Sequence, residues 1–110
     1  MFRRAVHHEP ALLDRARQLF PPGGSPDGRP SYELFVSTVL RAAETAFARD
    51  FEGQLAETPG SPIRVVLTAA TPFFPKPLAF YALLANEETV EIVDVVIDED
   101  WLETLGDDFV

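Results

Sequence analysis

The sequence contains no cysteine. Disulfides, thiolate zinc sites, iron–sulfur clusters and cysteine nucleophiles are therefore excluded. Histidine is nearly absent too: His7 and His8 are the only two, too few for a multi-histidine metal site. No apolar run approaches the roughly 18 residues that a membrane-spanning helix requires. The start, Met1-Phe2-Arg3-Arg4, has no apolar stretch behind it and does not read as a signal peptide. The chain lacks a phosphate-cradling glycine loop, a serine elbow and an HExxH pair. It also lacks any positive charge after Lys76.

The residues present fit one soluble, cytoplasmic domain over residues 1–110. Hydrophobic residues make up 46% and charged residues 25%, enough apolar material for one core. The net charge is −9, and it is unevenly spread. All nine basic residues lie within residues 1–76, which also hold eight acidic residues and sum to +1. The other ten acidic residues lie between Glu87 and Asp108. One reading of residues 98–110 is a solvated acidic tail; the other is a contact for a basic partner.

Residues 2–8 read as a short strand. Glu9-Pro10 opens a helix, since proline at the first turn loses no hydrogen bond. Leu12, Leu13, Ala16, Leu19 and Phe20 form its apolar stripe. Pro21-Pro22-Gly23-Gly24 stops it, and residues 21–30, with four prolines and three glycines, form a flexible loop. Ser31 caps a second helix expected over residues 32–56, which Gly53 could end early or bend. Val36, Leu40, Ala43, Phe47 and Phe51 line that helix, with Phe35, Val39, Ala42 and Ala46 in an adjacent row. Strands are expected at 63–68, 78–85 and 89–97. Residues 71–77 should be a proline-punctuated connection, and Asn86-Glu87-Glu88 a hairpin turn. The strand 89–97, apolar at nearly every position, should be central with both faces covered. The order β-α-α-β-β-β predicts an α+β fold, with a helical hairpin packed on a small, mainly antiparallel sheet.

Several residues could carry chemistry. His7 or His8 is a candidate general base or a plain surface histidine, and only one of the two can enter a given site. Asp94 interrupts the third strand, either facing solvent or pairing with Arg64. Asp98, Glu99, Asp100 and Glu103 could hold a divalent cation or simply be solvated. Phe80 and Tyr81 should face opposite ways, with Tyr81 joining Arg64 and Lys76 around a phosphate. No cofactor site is expected.

The element order, together with Ile63-Arg64-Val65, Phe80-Tyr81 and Val90-Glu91-Ile92-Val93-Asp94-Val95, resembles the RelE/ParE superfamily of bacterial toxins. The resemblance covers residues 2–97. It implies either messenger RNA cleavage on the ribosome, as an endoribonuclease, or poisoning of DNA gyrase, with neutralisation by an antitoxin segment. Arg64 and Tyr81, and more loosely Lys76, would be the counterparts of the family's catalytic residues. Three features depart from that pattern: the acidic composition, the missing arginine before Phe80-Tyr81, and Asp98-Glu99-Asp100 after the last strand. An acidic patch opposes charge stabilisation at a phosphate. The alternative function is a non-enzymatic protein-binding module whose acidic C-terminal segment meets a basic partner. A small enzyme centred on His7 or His8 is the third possibility.

Overall fold

A computed structural model describes residues 3–24, 29–71 and 74–97. Along the chain come β1 (Ala5–His8), α1 (Pro10–Leu19), α2 (Tyr32–Leu34), a π-helical turn (Phe35–Val39), α3 (Leu40–Arg49), β2 (Leu55–Ala56), β3 (Arg64–Thr71), β4 (Phe74–Asn86) and β5 (Thr89–Ile97). The strands form one sheet in the order β1-β5-β4-β3-β2. β1 runs parallel to β5, and every other pair is antiparallel. This is the expected α+β architecture, with one added edge strand, β2.

Local chemistry sets the element ends. Pro10 opens α1 at its first turn. After Phe20, Pro21-Pro22 lacks the N–H groups needed to continue the helix. Arg29 donates to the Leu19 carbonyl at 2.7 Å and so returns the following loop to the end of α1, where a cation is favoured. The Ser31 hydroxyl accepts from Leu34 N–H at 3.2 Å, as a cap should.

The second helix departs from expectation twice. It is not α-helical throughout: Leu40 N–H bonds the Phe35 carbonyl, five residues back. Nearby, the Thr38 hydroxyl donates to the Leu34 carbonyl at 2.6 Å. This wide turn sets Leu40 beneath Phe35, so both are buried. It also rotates the remainder of the helix, turning Ala42 outward and leaving Ala46 half-buried. The helix then ends at Arg49, short of residue 56. Asp50 accepts from Gly53 N–H at 3.0 Å, and a Cβ on Gly53 would lie 2.0 Å from that carboxylate. The tight turn frees residues 55–56 to pair with β3.

Residues 71–77 also behave differently from a connection. Thr71 pairs with Phe74 and Ala69 with Pro77, so β3 and β4 form a long hairpin. A register shift lies between these pairs, and proline within a sheet is tolerated beside such a bulge. Pro75 lies within the shifted stretch, and Pro77 closes it opposite Ala69. Among the described residues, the pairing of β4 with β5 starts at Leu78 and Ile97.

A second irregularity governs β5. Tyr81 pairs with Asp94 but Ala82 pairs with Ile92, which leaves Val93 as an extra residue. The inward phase therefore flips: Val90 and Ile92 are buried before the bulge, and Val95 after it. This phase change, rather than cover on both faces, explains the continuous apolar run. β5 is central, but Glu91, Val93, Asp94 and Val96 on its outer side are only half-buried.

The core lies between the helices and the inner sheet face. Leu12, Ala16, Phe35, Leu40, Phe47, Leu78, Phe80, Val90 and Ile92 are essentially inaccessible. Phe35 stacks between Phe20 and Phe80, with centroid separations of 4.7 and 5.8 Å, within the favourable range for aromatic pairs.

Candidate functional site

Two regions collect the polar chemistry. The first is the outer sheet face. Val66, Phe80 and Val95 are paired and buried, so their strand neighbours point outward. One cross-strand row reads Leu55, Val65, Tyr81 and Asp94. The adjacent row reads Leu67, Ala79 and Val96. Leu55 and Leu67 are large hydrophobics exposed at 69% and 50%. A depression of about 370 Å³ is lined by Glu57, Ile63, Tyr81, Val93, Asp94 and Val96. Arg15 of α1 reaches the Asp94 carboxylate at 3.1 Å. Asp94 therefore stands on the outer face, paired with Arg15 and not with Arg64.

Arg64 is elsewhere. It pairs with Ala82, one residue beyond Tyr81, and alternation places positions 81 and 82 on opposite faces. Arg64 and Tyr81 therefore stand on opposite faces of the sheet. Arg64 faces the helices, beside a hollow of about 390 Å³ that Phe51, Glu52, Pro62, Leu83 and Leu84 also line. Its Nη1 lies 3.5 Å from the Gln54 carbonyl, and its buried Nε has no partner. Lys76 belongs to β4, but its side chain lies outside the described residues. Asp98, Glu99, Asp100 and Glu103 lie outside them as well. Among the described residues, no three of His, Asp and Glu gather as metal ligands would.

The second region is a groove of about 430 Å³ between β1, α1 and α3, lined on its polar side by Arg3, Arg4, His8, Arg41 and Glu44. Alternation separates the histidines: His7 is exposed on the outer face, and His8 is half-buried on the inner one. His8 Nε2 lies 3.2 Å from Glu44 Oε1. Arg4 is fully engaged. Its Nη1 and Nη2 grip the two Glu52 oxygens at 2.7 and 2.6 Å, and its Nε donates to the Glu87 carbonyl at 2.9 Å. The hydrogen bond from Arg4 holds the Glu52 carboxyl below the usual carboxylate range, and the Arg4 guanidinium is raised in turn.

Sequence reading identifies His8 but not Glu44 or Arg41 as its neighbours. Glu44 lies 36 residues away, and only the packing of α3 beside β1 brings them together. No family model, curated protein or solved structure matches this chain.

Proposed function

We propose that this chain is a protein-binding module, whose outer sheet face receives a basic polypeptide segment carrying apolar side chains. The observation behind this reading is the outer row Leu55-Val65-Tyr81-Asp94, apolar along most of its length and flanked by Glu57 and Glu91. A partly exposed apolar strip, open at Leu55 and Leu67, with one sign of charge at its rim suits a partner of opposite charge. The net charge of −9 favours a basic partner in the same sense. The RelE/ParE resemblance supplies a partner type, an antitoxin-like basic segment. RNA cleavage fits less well, because Arg64 and Tyr81 occupy opposite faces.

The test is a backbone amide NMR titration with a synthetic peptide alternating lysine and leucine, against a glutamate–leucine control. The basic peptide should produce saturable shifts at Val65, Tyr81, Leu83, Val93 and Val96. Leu67→Lys should weaken its binding by about tenfold. Shifts outside this face, or none, would refute the binding surface. Growth arrest on induced expression, relieved by Tyr81→Ala, would instead favour a toxin acting on translation or gyrase.

A further inference from the structure

The groove beside β1 is independent of the outer face and sits on the opposite side of the sheet. In a chain of net charge −9, it gathers three of the nine basic residues. Arg4 is neutralised by Glu52. Glu44, the acidic residue of the lining, is engaged by His8. Arg3 and Arg41 are both exposed, and neither has an ion-pair or hydrogen-bond partner among the described residues. Two uncompensated guanidiniums border one concavity, whose remaining wall includes Leu13, Val36 and Leu40.

The π-helical turn contributes to this arrangement. Val36 lies within it, and Leu40 comes directly after it. The extra residue sets the phase of α3, which brings Arg41 and Glu44 to the same groove as β1. A guanidinium is always charged and presents a fork of donors that matches phosphate oxygens. Two such groups match a dianion better than a single carboxylate, which one arginine can satisfy. The apolar wall calls for an organic body on the ligand rather than a bare ion.

We propose that this groove binds a small phosphomonoester, with its phosphate held between Arg3 and Arg41 and its apolar body against Val36 and Leu40. His8, tethered to Glu44, lines the same space. Binding weakens with salt, since the contacts with Arg3 and Arg41 are exposed and screened.

The experiment is a calorimetric titration of the full chain with phenyl phosphate at constant ionic strength, followed by backbone amide NMR. Inorganic phosphate and benzoate serve as comparison ligands. Phenyl phosphate should bind saturably, about tenfold tighter than either comparison ligand, and shift the amides of Val6, His8, Val36 and Arg41. Arg41→Ala should lower the affinity several-fold, and adding Arg3→Ala should abolish it. Neither change should move the thermal midpoint, because both side chains are exposed. Arg41→Lys keeps the charge without the fork and should fall between wild type and Arg41→Ala.

Absence of saturable binding overturns the proposal, as does undiminished binding in the double variant. Equal affinity for inorganic phosphate refutes the organic body, and equal affinity for benzoate refutes the dianion. Shifts confined to Val65, Tyr81 and Val96 would move the ligand to the outer face and likewise overturn it.

Discussion

The inner and outer faces of the sheet are built from the same strands and similar residue types, yet they have different fates. On β4, Leu78, Phe80 and Ala82 are sealed beneath the helices, while on the outer side Tyr81 and Leu83 stay half-exposed and the small Ala79 is buried. On β5, Val90, Ile92 and Val95 are sealed, while Val93 and Val96 are not. Apolar composition does not separate the two sets. The separation comes from which side α1 and α3 occupy, together with the bulge at Val93 that shifts the phase of β5. The comparison teaches that a strand can read as apolar at nearly every position without being covered on both faces. A bulge lets one covered face draw on both phases of the alternation.

The comparison can be broken most forcefully at Phe80 and Tyr81, adjacent residues on opposite faces. Phe80→Ala should destabilise the fold by about 3–5 kcal/mol, by removing a buried ring stacked on Phe35. Tyr81→Ala should cost only about 1 kcal/mol. Chemical denaturation of the two variants measures the asymmetry directly, and equal losses would show that the outer face is as closely packed as the inner one.

A smaller effect sharpens the same contrast from the polar side. Thr68 belongs to the inner phase of β3, opposite Leu78, and its hydroxyl is buried without a partner. Thr68→Val removes that unmet donor at nearly constant volume and should raise stability by about 1 kcal/mol. A loss of stability on denaturation would mean that the hydroxyl is satisfied in solution.

The smallest effect concerns the ion pair that ties β1 to the turn after α3. Arg4 lowers the Glu52 pKa, so the stabilisation from this pair is present above the ordinary carboxylate range. It is lost as the pH falls through the folded-state pKa. Melting temperatures followed from neutral to acidic pH should therefore show a shallower decline in Glu52→Gln than in wild type. Added salt should narrow the difference, because the pair is solvent-accessible.

Much of the fold is legible in the sequence because the signals are local. Pro10, Ser31 and the Asn86-Glu87-Glu88 turn each act within a few residues, and each marks an element boundary in the structure. The strand expected over 89–97 has those limits in the structure. Where expectation and structure part, the cause is an irregularity that periodicity does not encode. The π-helical turn disturbs the helix rows, Asp50 and Gly53 close α3 early, and a bulge admits Pro75 and Pro77 into β4. The candidate sites are less legible still. Arg64 and Tyr81 fall on the expected strands, but a difference of one residue in register sets them on opposite faces.

Composition and short-range spacing suffice for the α+β class, the segregation of charge and the absence of any cysteine chemistry. Only the tertiary structure decided that β1 joins the sheet beside β5, that Asp94 meets Arg15, and that His8 meets Glu44 in a groove bordered by Arg3 and Arg41. Those pairings link residues far apart in the chain. They depend on register, bulges and helix phase, each of which turns on a single inserted residue.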